Sequence, residues 1–252
     1  MRILLTNDDG YGAPGLAVLL KYLIEVSERS AGAHEIVVIA PETERSGVSH
    51  AMSLRNPLKV RMLEEGRYTC SGTPADCVIV AGLKVMEGKV DLVISGINRG
   101  PNLGTDIIYS GTCGAARQAA LAGIPAIAVS CARYAEPLDY RAGAAFIAGN
   151  LDRLVETWKP DSFINVNAPS SDNEGLPARW AIPGRNRYHD TMKSFEGAEG
   201  YLYCYLAEGR SERAFDPISD HHAVQDGFIA LSLVNINPEA AHPAEWNGSA
   251  FF

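Results

Sequence analysis

The sequence has no basic run and no excess of positive charge. Its 252 residues carry a formal net charge of −8. Proteins that bind nucleic acids normally present a stripe of Lys and Arg, so we expect no stable nucleic-acid partner. An anionic substrate would need a local source of positive potential, which a bound metal ion or a helix N-terminus can supply in an acidic protein.

The sequence also lacks closely spaced cysteine pairs and long apolar segments. Its five cysteines are odd in number and lack the spacing of zinc ribbons or redox motifs, so we expect free buried thiols. The first apolar residues run directly into Asn7-Asp8-Asp9, without the apolar stretch and cleavage site of a signal peptide. No segment is long and apolar enough to span a bilayer. These features predict a cytoplasmic protein with no membrane partner.

What is present is an alternation of short β-branched runs with helical patterns. The composition is that of a globular protein, and the length suggests one core with a smaller appended lobe. Five runs predict buried strands: Ile3–Thr6, Ile36–Ala40, Leu92–Ser95, Ile127–Ser130 and Phe163–Val166. Helical patterns occur at Leu16–Leu23, at Ala115–Ala120 and within Tyr140–Glu156. This order predicts an α/β fold, a Rossmann-like, doubly wound and mostly parallel sheet with helices on both faces.

The composition changes after about Pro169. Short aromatic segments such as Tyr201–Tyr205 suggest hairpins, and the alternating stretch Phe228–Val234 predicts a strand that either returns to the main sheet or pairs elsewhere. The final stretch, Pro238–Phe252, lacks a clear amphipathic helix. We therefore divide the chain into an α/β core, residues 1–169, and a hairpin-rich C-terminal region, residues 170–252.

Polar clusters follow the first three predicted strands. They contain the side chains of Asp8, Asp9, Ser46 and Asn98, all oxygen donors. An open α/β sheet brings its carboxyl strand ends together, so these clusters should converge on one crevice. Two carboxylates, a hydroxyl and an amide suit a hard cation such as Mg²⁺ or Mn²⁺, whereas a zinc site would favour His or Cys.

A glycine-rich loop, Arg99–Gly104, precedes a second candidate site. The segment Tyr109-Ser110-Gly111-Thr112 then leads directly into the alanine-rich helix. Ser110 or Thr112 can cap this helix, and the N–H groups of its first turn can hold an anion beside the metal. The six histidines do not follow the core strands beside a paired Ser or Cys, so no nucleophilic triad is apparent.

Several segments occur together in a fixed order. They are Asn7-Asp8-Asp9-Gly10, Ala13-Pro14-Gly15, Ala40-Pro41, Arg45-Ser46-Gly47, Gly72-Thr73-Pro74-Ala75-Asp76-Cys77, Ser95-Gly96-Ile97-Asn98, Gly100-Pro101-Asn102-Leu103-Gly104, Tyr109-Ser110-Gly111-Thr112 and Asn165-Val166-Asn167-Ala168-Pro169. Together they resemble the signature of the SurE family of survival-protein nucleotidases. The match is dense over roughly the first two thirds of the chain and looser afterwards.

The resemblance implies a role for each matched residue. Asp8, Asp9, Ser46 and Asn98 would bind one divalent cation per subunit, Mg²⁺ or Mn²⁺, with Asp8, Asp9 and Asn98 as the catalytic residues. Asn102, Ser110, Gly111 and Thr112 would border the phosphate. The family hydrolyses nucleoside 5′- and 3′-monophosphates, some members also trim short polyphosphate, and members form homodimers or homotetramers through an exchanged C-terminal hairpin.

Two other functions remain open at this point. Aspartyl-phosphate phosphatases place two aspartates one residue apart after the first strand, whereas Asp8 and Asp9 are adjacent and Gly10 occupies the position of the second aspartate. A nucleotide-sensing module that binds without turnover is also possible, because a phosphate-binding loop alone establishes only binding.

Overall fold

The computed structural model describes residues 1–29 and 34–237, and a nine-stranded sheet forms the centre of this part of the chain. The strands of the chain are β1 (Arg2–Thr6), β2 (Glu35–Pro41), β3 (Val60–Glu64), β4 (Arg67–Cys70), β5 (Leu92–Arg99), β6 (Ala126–Cys131), β7 (Ser162–Ala168), β8 (Ala178–Trp180), β9 (Asn186–Glu196), β10 (Leu202–Arg213) and β11 (Ile229–Asn235). The sheet order is β3-β4-β2-β1-β5-β6-β7-β11-β8. Within this order, the neighbouring strands β4, β2, β1, β5, β6 and β7 are parallel to one another. All five predicted core strands are confirmed.

Helices cover both faces of the sheet, as predicted. They are α1 (Pro14–Arg29), α2 (Pro74–Val80), α3 (Gly111–Leu121), α4 (Arg141–Gly149), α5 (Leu151–Thr157) and α6 (Asp220–Gln225). Leucines of α1 pack with α4 and α5 in one apolar cluster, while α2 and the alanine face of α3 pack in the other. The predicted helical stretch Tyr140–Glu156 is two helices, because Asn150 leaves helical geometry and its side-chain amide donates to Phe146 O at 2.8 Å.

The region after residue 169 contributes to both sheets. Strands β9 and β10 form the predicted hairpin as a separate antiparallel pair. Strand β11 returns to the main sheet, where it pairs antiparallel with β7 and parallel with β8. The division of the chain at residue 169 stays a prediction, and the final stretch, residues 238–252, lies outside the described residues.

The cysteines are free, as expected, but not all are buried. Cys70, Cys77, Cys113 and Cys131 are buried, whereas Cys204 is exposed because it lies on the hairpin. Across the described ranges, we find no helix with the length and apolar content that crossing a bilayer requires.

Candidate active site

The polar cluster after β1 is held in place by hydrogen bonds to backbone carbonyl groups. The side-chain amide of Asn7 donates to Gly10 O at 2.8 Å and closes the turn that carries Asp8 and Asp9. Arg45 N–H donates to Asp8 O at 2.7 Å, which fixes the loop after β2 against the same turn. The loop that contains Ser46 is therefore tied to the end of β1.

Asp8 is the most enclosed of the predicted metal ligands, with only 3% of its surface exposed. The Thr112 hydroxyl donates a short hydrogen bond to Asp8 Oδ1. Burial raises the pKa of Asp8, and hydrogen bonds from the Thr112 side chain and from backbone groups that include Gly111 and Thr112 oppose this shift. The first turn of α3 therefore stabilises the charge of Asp8 with the positive end of its dipole.

The adjacent carboxylate, Asp9, is half-buried and makes a different set of contacts. Its Oδ2 accepts a hydrogen bond from Arg99 N–H at 2.8 Å. Burial raises the pKa of Asp9 to about 6, and the negative charges of Asp8 and Glu44 add to the shift. The Arg99 guanidinium pairs with Glu136 at 3.3 Å. Two neighbouring carboxylates with raised pKa values favour binding of a cation, because a nearby positive charge stabilises both in their ionised form.

Asn98 and Ser46 present oxygen atoms beside Asp8. The Asn98 amide nitrogen donates to Gly100 O at 2.9 Å, which leaves its side-chain oxygen as an acceptor. Gly96 makes this placement possible, because its φ of +141° suits glycine and the β5–β6 register shifts between Ser95 and Asn98. Ser46 is exposed, and its hydroxyl donates to Glu44 at 2.8 Å.

Most of the predicted site residues converge on one cavity of about 220 Å³. Its lining includes Asp8, Ser46, Asn98, Asn102 and Ser110. Asp9 instead lines an adjoining cavity of about 360 Å³, which shares Arg99 with the first. A larger cavity of about 580 Å³, between α4, α5 and β8, contains none of the predicted site residues.

The donor set of this site fits a hard divalent cation. It combines carboxylate, hydroxyl and amide oxygens, which Mg²⁺ and Mn²⁺ prefer. Within residues 1–29 and 34–237, no three His, Cys, Asp or Glu side chains form a cluster that could hold a metal ion. Close packing also supports the fit, since a Cβ on Gly111 would lie 3.0 Å from Asp8 Oδ2, where only glycine leaves room for the carboxylate.

The start of α3 combines two roles. Ser110 is its N-cap and accepts a hydrogen bond from Cys113 N–H at 3.0 Å, which confirms the capping prediction for Ser110. Thr112 is fully buried and holds Asp8, so its hydroxyl serves the carboxylate instead of lining the cavity. Contacts from Ser110, Gly111 and Thr112 to a phosphate stay a prediction.

Asn102 is held by a buried network that the sequence analysis did not assign. Its side-chain amide donates to Ser130 Oγ at 2.8 Å, and its backbone N–H donates to Asn167 Oδ1 at 2.8 Å. Its carbonyl accepts from Asn165 Nδ2 at 2.8 Å and from Asn167 Nδ2 at 3.1 Å. The spacing of two residues on β7, which places both asparagines on one face, was the available signal.

Asp220 links the C-terminal region to the glycine-rich loop. This buried carboxylate accepts from Gly104 N–H at 2.7 Å and from Gly184 N–H at 2.9 Å. The base of the hairpin makes a second link, because Asn186 N–H donates to Thr105 Oγ1 at 3.0 Å. Both links hold the segment that connects Asn102 with Ser110.

Comparisons with known proteins identify relatives of this chain over nearly its whole length. Residues 3–190 match the sequence model of the family described as Survival protein SurE. The chain is 41% identical over 254 residues to the 5′-nucleotidase SurE of Geotalea uraniireducens (strain Rf4), covering 96% of this chain and 97% of that one. It is 38% identical over 241 residues to the 5′-nucleotidase SurE of Geobacter sp. (strain M21), covering 94% of each.

A solved structure shares the fold. The SurE protein from Aquifex aeolicus superposes with a TM-score of 0.79 at 32% identity, covering 94% of both chains. Sequence and fold therefore agree over nearly the whole length, and the chain belongs to the SurE family.

Proposed function

We propose that this protein is a divalent-metal-dependent phosphatase that hydrolyses nucleoside 5′-monophosphates to nucleoside and phosphate. The observation that carries the proposal is the convergence of Asp8, Ser46, Asn98, Asn102 and Ser110 on one cavity at the carboxyl ends of the strands. The name 5′-nucleotidase, carried by relatives that match this chain over nearly its full length, supports the choice of substrate. The proposal extends to nucleoside 3′-monophosphates and short-chain polyphosphate as further substrates.

In this proposal, Asp8, Asp9, Ser46 and Asn98 bind one Mg²⁺ or Mn²⁺ per subunit. When bound, such a cation supplies a Lewis acid for a phosphoryl oxygen and lowers the pKa of a water molecule. The protein orients its own metal ligands: hydrogen bonds from Thr112 and the first turn of α3 position Asp8 and oppose the rise in its pKa that burial causes. The Arg99 N–H holds Asp9 in the same way.

The phosphate lies between this metal site and the start of α3. Asn102 and Ser110 contact its oxygens, whereas Gly111 and Thr112 border the phosphate indirectly, through the hydrogen bonds that they donate to Asp8. Water adds to phosphorus in line with the ester oxygen, the bond between phosphorus and that oxygen breaks, and the oxygen leaves with a proton as the nucleoside hydroxyl. Asn102 suits this role because its buried network prevents it from moving as charge develops.

The hairpin β9–β10 supports an assembly. The pair Met192 and Leu206 is exposed on one face of the hairpin. Phe195, Tyr203 and Tyr205 are exposed on the opposite face, where their rings stack in an apolar patch of the kind that marks protein interfaces. We propose that this patch is covered in a homodimer or homotetramer.

Steady phosphate release from adenosine 5′-monophosphate, measured with Mn²⁺ and then with EDTA, tests the activity. We expect turnover with Mn²⁺, its loss with EDTA and its return when metal is added back. The Asp8→Asn variant controls for a contaminating phosphatase. Tight binding by calorimetry without turnover would refute the proposal and favour a nucleotide-sensing module, whereas a phosphoenzyme trapped by acid quenching would favour the aspartyl-phosphate mechanism.

A further inference from the structure

The cavity that contains Asp8 is too small for a whole nucleotide. Its volume is about 220 Å³, whereas sites that enclose small organic ligands usually occupy about 300–1,000 Å³. The polar residues occupy its interior, so the phosphate is the part that it can enclose. The base of a nucleotide must then lie outside, at the rim.

Exposed apolar side chains stand at this rim. Tyr109 and Tyr134 both line the cavity, and they are 57% and 68% exposed. Single exposed apolar residues are common, but two exposed aromatic rings that line the same polar cavity offer a surface that a planar apolar group can cover.

The ring of Tyr134 packs against the chain at Gly100. It lies against Gly100, where a Cβ would come within 3.2 Å of two ring carbons. The ion pair between Arg99 and Glu136 ties the loop that carries Tyr134 to the end of β5. The ring therefore has one packed side and an exposed remainder at the cavity mouth.

We infer that Tyr134 stacks on the base of the substrate nucleotide, an inference that rests on the proposed nucleotidase function. Every base has a π face, so a ring that stacks on it contributes to binding without selecting one base. Since this contact is made equally in the ground state and the transition state, its loss should raise KM and leave kcat nearly constant.

The test compares adenosine 5′-monophosphate with ribose 5-phosphate, which has the same sugar and phosphate but no base. We expect Tyr134→Ala to lower kcat/KM for adenosine 5′-monophosphate about tenfold relative to kcat/KM for ribose 5-phosphate. The loss should come from a higher KM for the nucleotide. Tyr134→Phe, which keeps the ring, should retain the wild-type ratio of these two kcat/KM values. Trp180→Ala, which removes an exposed aromatic side chain of edge strand β8, is the matched control.

Three results would overturn the inference while the proposed function stands. If Tyr134→Ala lowered kcat/KM equally for both substrates, Tyr134 would only support the loop at Gly100. A loss in Tyr134→Phe as large as in Tyr134→Ala would assign the effect to the hydroxyl. Equal kcat/KM of the wild-type protein for both substrates would exclude a base contact while leaving the phosphatase activity intact. If the wild-type protein releases phosphate from neither substrate, the proposed function itself fails, and the inference fails with it.

Discussion

Replacing Gly111 by alanine tests whether the packing beneath Asp8 sets the position of its carboxylate. The added Cβ would lie 3.0 Å from both Asp8 Cβ and Asp8 Oδ2, and 3.2 Å from Val48 Cγ2. Carbon atoms in favourable contact are about 3.5–4.0 Å apart, so these neighbours must move by about half an ångström. Because a 1 Å displacement of reacting groups can cost about 100-fold in rate, we expect kcat/KM to fall roughly tenfold.

The free energy of unfolding of the Gly111→Ala variant should fall by no more than about 2.5 kcal/mol. Alanine in a helix gains about 0.5–1 kcal/mol over glycine, which offsets part of an overpacking cost of about 1–3 kcal/mol. Gly149→Ala is the matched control, since Gly149 also lies in a helix and its Cβ would meet nothing within 4 Å. Thermal melting and steady-state phosphate release measure both effects. If Gly111→Ala kept the wild-type kcat/KM, the reasoning would be refuted, because activity would not depend on the exact position of the Asp8 carboxylate.

Four further predictions concern the site, the assembly and the acid stability. Asp8→Asn should lower turnover at least ~100-fold with an unchanged melting temperature in metal-free buffer, because the carboxylate acts on transition-state charge. Ser110→Ala should weaken kcat/KM by roughly ten- to a hundred-fold without abolishing it, and the lost cap should cost about 1 kcal/mol in a denaturant titration. Deleting hairpin β9–β10 should convert the oligomer to a monomer in light scattering, and an unchanged mass would contradict this. Burial raises the pKa of Asp76, but hydrogen bonds from Ser53 and Thr73 outweigh it and hold the pKa below its ordinary value of 3.8. The ionised form therefore stabilises the fold above that value and ceases to do so as the pH falls further, so Asp76→Asn should lose less stability than the wild type between about pH 5 and pH 3.

The sequence predicts the centre of the fold well and its edges poorly. Central strands such as Ile3–Thr6 are continuous apolar runs because both faces of a parallel sheet are buried. Strand β3 is exposed at all five positions, so it shows no alternation that would reveal it. Helix α2 was missed although Thr73 and Asp76 form a capping box, a signal that the sequence does contain.

Part of the candidate site can likewise be predicted from the sequence, and part cannot. The convergence of Asp8, Ser46 and Asn98 follows from topology alone, because parallel strands end at one edge. The hydrogen bond from Thr112 to Asp8 joins residues 104 positions apart and depends on side-chain packing. The bond from Gly104 to Asp220 spans 116 positions. The periodicity of a segment indicates only how that segment is buried. It does not predict which side chains of distant segments come into contact.

The late position of β11 in the chain has a consequence for biosynthesis. Strand β7 is complete at residue 168 and pairs with β6 along one edge, but β11, its partner along the other edge, begins only at residue 229. During synthesis, the other edge of β7 therefore presents unpaired backbone N–H and C=O groups until β11 has left the ribosome. Such an edge pairs readily with other chains. We expect nascent chains that stop before residue 229 to aggregate, and full-length chains to depend on chaperones during that interval.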